Sequence, residues 1–185
     1  VGLAHFSAVS LAAKYSLHAV YSSRNLNIRN ETAEAWGLQR RQVCHSEEEF
    51  LDKATEADVA LVLTPSPKHI EHLLSLLGKV ETIVCEKTIV TSSAEGEILR
   101  KAVSDSTSQI VPMFNYTAYS QIRHLRQLVI DQFFGKVLSF SIRMPQETFL
   151  LRDDRGEPIS VQDWRTRDGE ISGVSLDLGS HVFHL

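Results

Sequence analysis

Two hydrophobic rhythms alternate along the chain. Short apolar runs bounded by turn residues are separated by stretches in which apolar positions recur at helical spacing. LHAVYSS (17–23), ADVALVLTP (57–65), VETIVCE (80–86) and SQIVPMFN (108–115) predict short strands. Pro65 ends the second, and Pro112 confines the last to a sheet edge or a strand end. Between them, HFSAVSLAAKY (5–15), NIRNETAEAWGL (27–38), SEEEFLDKAT (46–55), PKHIEHLLSLLG (67–78) and SSAEGEILRKAVSD (92–105) predict helices. Ser46 with Glu49 three residues on is a capping-box pattern, Pro67 suits a first turn, and Gly37 and Gly78 stand at helix stops.

Strands and helices in this alternation predict an α/β fold, a Rossmann-type doubly wound parallel sheet with helices on both faces. Such sheets bind ligands beyond the carboxyl ends of their strands. The run IVCEKTIV (83–90) therefore draws notice, because it breaks from apolar residues to Glu86 and Lys87 where that rim would lie. Position alone leaves a functional site and a solvated turn equally open.

The organisation changes near residue 116. A helix over 118–131 is followed by Gly135 and KVLSFSIRM (136–144), whose apolar Val137, Phe140 and Ile142 alternate with polar neighbours as in a half-exposed strand. Residues 145–168 read as irregular. Their Arg152, Arg155, Arg165 and Arg167 could meet an anionic or nucleotide-linked ligand, but with Asp153 and Asp154 interspersed they are expected to be self-paired surface charge. ISGVSLDLGSHVFHL (171–185) predicts a helix entered through a Gly/Ser-rich turn, so two domains are expected, 1–116 and 117–185.

Composition narrows the function. The 185 residues suffice for a sizeable core, and 43% hydrophobic with 23% charged residues describes an ordinary globular protein. A net charge of −4 argues against a general binder of nucleic acid or of anionic membranes. No apolar stretch approaches the roughly 20 residues of a membrane span. VGLAHFSAVSLAAKY has no basic leader, so no signal peptide is expected. Cys44 and Cys85 stand in no metal or redox spacing, which suits a reducing cytoplasm.

Asp177 and His181 are spaced i, i+4, so a regular helix turns both to one face, with His184 close by. A carboxylate beside an imidazole holds its tautomer and raises its basicity, an arrangement suited to proton transfer near neutral pH. The same spacing also serves a plain surface ion pair.

Four landmarks in order settle the comparison: Val1-Gly2-Leu3-Ala4-His5, ADVALVLTPSPKHIEHLLSLL (57–77) with Thr64-Pro65 and His69, VCEKT (84–88), and GVSLDLGSHVFHL (173–185). Together they resemble the glucose–fructose oxidoreductase / inositol dehydrogenase / MocA family of nicotinamide-dependent dehydrogenases. They match the tail of its glycine-rich loop, its Thr-Pro strand end, its Glu-Lys-Pro signature with Thr88 in place of proline, and its Asp-x-Gly-x-His helix. The resemblance implies a dinucleotide-binding domain over 1–116 and the start of an α+β substrate and oligomerisation domain over 117–185. It implies Lys87, Asp177 and His181 as catalytic residues, with either Lys87 or His181 taking the proton. Glu86 is expected to position Lys87, and Gly2, His5, Ser23, Arg24, Thr64, Pro65, His69, Glu86, Lys87 and Asn115 to contact cofactor.

The strand LHAVYSS is followed by Arg24 and offers no carboxylate for an adenosine ribose. Arg24, helped by Arg29, could instead meet a 2′-phosphate, so NADP is expected as cofactor, with NAD possible. The implied partner is a small polyhydroxy substrate, a sugar or cyclitol, in a cytoplasmic homo-oligomer that binds neither nucleic acid nor membrane. Departures from the pattern are Thr88, which is expected to loosen the Lys87 turn, His184 in place of an acid, and Thr117 where arginine is common. The residues contain no G-x-G. A longer protein of about 300–400 residues with a preceding strand is therefore expected. The alternatives are a non-catalytic nucleotide-binding regulator on the same scaffold and a redox-initiated glycosidase or lyase.

Overall fold

The computed structural model describes residues 2–145 and 150–185. Val1 of the first landmark and 146–149 of the expected irregular stretch lie outside the described residues. The elements in order are α1 (Gly2–Leu11), α2 (Leu26–Ala35), α3 (Glu47–Ala54), β1 (Val59–Val62), α4 (His69–Leu76), β2 (Thr82–Glu86), α5 (Ser93–Ser104), β3 (Gln109–Met113), α6 (Ser120–Ile130) and α7 (Ser180–His184).

The three strands form a parallel sheet in the order β1-β2-β3, with Ala60 opposite Ile83 and Ile83 opposite Ile110. Period-two alternation sorts each strand onto two faces. Ala60, Val62, Ile83 and Cys85 point into a core closed by Leu73 and Leu76 of α4 and Leu99 of α5. Thr82, Val84 and Glu86 face the other side and are only half-buried. Burial pushes the Cys85 thiol up to about 12, so it serves as core. Pro112 sits in β3 opposite Cys85, on the strand that ends the sheet, where a missing N–H leaves no rung empty.

Helix ends follow their chemistry. Ser46 accepts from the Glu49 N–H, and the Glu49 carboxylate accepts from the His45 N–H. That hydrogen bond, first, and Lys53 second hold the Glu49 carboxyl below its usual range. Ser92 and Glu95 repeat the device at α5, with Glu95 reaching back to Thr91. Gly78 lies at φ +77° just past α4, a conformation that costs a side-chain-bearing residue strain.

Two expected strands do not form. Residues 17–23 make a single parallel bridge, Val20 to Val43. Residues 136–144 make no ladder among the described residues, and Val137, Leu138 and Phe140 are exposed. Alternation marks a segment able to pair, but a strand exists only where a neighbour supplies the other half of its hydrogen bonds. The first helix also starts earlier than expected, at Gly2, and ends at Leu11.

Candidate active site

The carboxyl ends of the strands gather most of the residues singled out from sequence. Lys87 follows the last residue of β2, and its Nζ donates to Asp177 Oδ1 at 2.5 Å and to the Asp177 carbonyl at 2.6 Å. The second Asp177 oxygen accepts from Arg165 Nη1. One carboxylate thus lies between two cations. Lys87 and Asp177 are nearly buried, with side-chain exposures of 15% and 13%. Lysine and arginine here divide the labour by geometry, a compact ammonium on one oxygen and a guanidinium arm on the other.

Arg165 is a residue the sequence reading assigned to self-paired surface charge. The loop instead turns it inward, while Arg167 does pair within the loop, with Asp163 at 3.8 Å. Arg165 also lies over the Trp164 ring at 4.6 Å. Its backbone runs so close to Gly173 that a Cβ there would meet the Arg165 carbonyl at 2.9 Å. Nothing in local spacing links Arg165 to Asp177, twelve positions on.

Asp177 does not orient His181. The segment Ser175–Gly179 forms a π turn before α7, which takes the pair out of simple i, i+4 register. Among the described residues the Asp177 carboxylate bonds to Lys87 and Arg165, and the buried Nδ1 of His181 has no partner. His181 is instead walled by Tyr116, ring to ring at 4.6 Å, and by Phe114. Burial above all, then the Lys87 cation, lowers its pKa from the ordinary histidine value, although Asp177 pulls the other way. The expected rise in basicity is therefore reversed, because desolvation outweighs the carboxylate. His184 stacks on Phe114 at 3.9 Å.

Glu86 meets Lys87 through the backbone, its Oε2 accepting from the Lys87 N–H at 3.3 Å. Its Oε1 lies 2.8 Å from His5 Nε2, so its carboxylate ties α1 to the rim of β2 and leaves the Lys87 ammonium to Asp177. This contact brings the Gly2 end of α1 to the same rim. Gly2 itself packs against Trp36, where an added Cβ would stand 3.2 Å from the ring. His69 is fully buried, with Nδ1 2.7 Å from the Thr88 carbonyl and Nε2 2.6 Å from the Thr64 carbonyl. Both ring nitrogens face backbone oxygens, so a cofactor contact through this ring, as expected from sequence, is not open to it. Thr64 and Pro65 are exposed after β1, with the Thr64 hydroxyl 3.0 Å from His72 Nδ1, and Asn115 is exposed after β3.

The family model GFO_IDH_MocA, an oxidoreductase family with an NAD-binding Rossmann fold, matches residues 1–114. The chain belongs to this family. Among its relatives, the glucose-6-phosphate 3-dehydrogenase of Bacillus subtilis is 26% identical over 187 residues, covering 100% of this chain and 49% of that protein. The scyllo-inositol 2-dehydrogenase (NADP(+)) IolW of Bacillus subtilis is 24% identical, covering 91% of this chain and 43% of that protein. A Desulfitobacterium hafniense structure, provisionally described as an NADPH-dependent oxidoreductase, matches 97% of this chain and 50% of its own with a TM-score of 0.76 at 17% identity. That likeness shows a shared fold. The chain spans about half the length of the curated relatives it matches.

Membership of an NAD-binding oxidoreductase family raises the question of fit to a dinucleotide, and the residues fit. The α1 N-terminus, the exposed ends of β1 and β3 and the Lys87 loop share one rim. Beside it, Ser23 is held by Arg29, whose Nη1 donates to the Ser23 carbonyl at 3.1 Å and whose buried Nε has no partner among the described residues. Arg24 is exposed, with Glu47 3.7 Å away.

Proposed function

We propose that the protein is an oxidoreductase that moves a hydride between a nicotinamide dinucleotide, NADP in preference to NAD, and a ring hydroxyl of a sugar, cyclitol or related polyhydroxy compound. The observation that carries the reading is the convergence of Lys87, Asp177 and His181 at the carboxyl rim of a Rossmann sheet. Two relatives, by name a glucose-6-phosphate 3-dehydrogenase and an NADP-dependent scyllo-inositol dehydrogenase, support the substrate class.

The N–H groups at the start of α1, from Gly2, would meet the pyrophosphate, Ser23 and Arg24 the adenosine ribose and its 2′-phosphate, and Thr64, Pro65 and Asn115 the nicotinamide half. The bound cofactor supplies a hydride acceptor. The chain supplies the rest. Oxidation of a carbinol sends the C–H pair to the cofactor and the O–H proton to a base, leaving a carbonyl. Lys87, held to Asp177 by two of its N–H donors, keeps one to orient the substrate oxygen. His181, buried with an unpartnered nitrogen and a lowered pKa, is neutral at pH 7 and takes the proton. Arg165 holds the second oxygen of Asp177 and so fixes the carboxylate, so that the lysine is placed rather than mobile.

A panel of sugars and cyclitols, followed by NADPH formation in the full-length protein, tests this. The reading expects a substrate whose oxidation Lys87→Ala slows by about a hundredfold or more. Nucleotide binding without turnover of any panel member would favour a regulator instead.

A further inference from the structure

Behind Lys87 lies a set of polar contacts that the proposed chemistry does not use. The Thr88 hydroxyl donates to the Leu176 carbonyl at 2.5 Å, one residue before Asp177. The Thr88 N–H donates to Ser66 Oγ at 3.3 Å, and its carbonyl faces the buried His69 ring. The residue therefore uses its hydroxyl, N–H and carbonyl together. It joins the Lys87 loop to the turn that carries Asp177 and to the start of α4 through Ser66 and His69.

We infer that Thr88 is a positioning residue that clamps the Asp177 turn onto the Lys87 loop and so fixes the Lys87–Asp177 pair. The inference rests on the reading of Lys87 as the substrate-facing lysine. Proline at this position would supply neither donor, since it lacks both a hydroxyl and an N–H. Threonine compensates for the absent ring with bonds to two segments, the Asp177 turn and the start of α4, so the loop is held where the sequence alone predicts loosening. The two ends of the strap are adjacent in chain to the two charged residues, Thr88 to Lys87 and Leu176 to Asp177. A shift at the strap must pass directly to the ion pair. Loss of the hydroxyl leaves the Leu176 carbonyl without this partner and lets the π turn move relative to β2.

Competitive acetylation of the full-length protein with acetic anhydride, read lysine by lysine by mass spectrometry, tests the inference without using catalysis. Thr88→Val, which keeps shape and removes the donor, is expected to raise Lys87 labelling by about fivefold or more relative to wild type. Lys53 and Lys79, remote from the strap, should label as in wild type and report that the fold is retained. Thr88→Ser restores the hydroxyl and should restore slow labelling of Lys87. Thr88→Ala, which adds no bulk, is expected to behave as the valine variant and serves in its place if that variant does not fold. Unchanged Lys87 labelling in both donor-free variants overturns the inference, as does a serine variant that labels as fast as they do. A parallel NADPH titration of wild type separates the outcomes, because absent nucleotide binding with a responsive Lys87 refutes the oxidoreductase reading and leaves the clamp standing.

Discussion

Asp177 is the residue on which the site turns, since its two oxygens and its own carbonyl hold Lys87 and Arg165 in place. Removing its charge leaves two partly buried cations facing each other. Asp177→Asn should therefore lose about 3 kcal/mol of stability and its turnover together, and urea unfolding of both proteins measures the first. An unchanged midpoint would show that the ion pairs are not formed in solution. His181 gives a pH prediction with a definite sign. Its folded pKa lies below the unfolded value, so the unfolded chain binds its proton more readily. This residue's contribution to stability is complete above about pH 6.5 and falls as pH drops below that value toward the folded pKa. As base, it also makes the rate rise with pH over that same acid range and level off near neutrality. His181→Gln should abolish that limb of the rate profile. Lys87 and Asp177 were legible in sequence as landmarks, because each sits in a compact local motif. Arg165 and the clamp of Thr88 were not, because each acts on a partner distant in sequence whose position only the folded loop decides.

At the level of elements, the helices and the three paired strands were readable because each carries its own signals. Ser46 and Ser92 with a glutamate three residues on mark starts, and Gly78 with its positive φ marks a stop. Ser46→Ala and Ser92→Ala should each cost about 1 kcal/mol and lower the melting temperature, whereas a neutral result at either would mean that the cap bond is not made. Residues 17–23 and 136–144 were misread for one reason. Periodicity reports which faces a segment could bury, but hydrogen-bonded neighbours decide whether it becomes a strand. The π turn before α7 is a similar case, because i, i+4 spacing assumes a regular helix. The wider turn leaves His181 to its aromatic wall and sends Asp177 toward β2.

For the whole molecule, the parallel sheet accords with the matched family, an NAD-binding oxidoreductase family with a Rossmann fold. Ligand linkage gives a prediction at this scale, for NADPH at a hundred times its dissociation constant should stabilise the protein by about 2.7 kcal/mol. Arg24→Ala should weaken NADPH binding by about tenfold while leaving NADH nearly unchanged, since only the former carries the 2′-phosphate. The most direct test is a fluorescence titration of the full-length protein with NADPH and with NADH. The account predicts saturable binding of both, with NADPH the tighter. Binding of neither would contradict it.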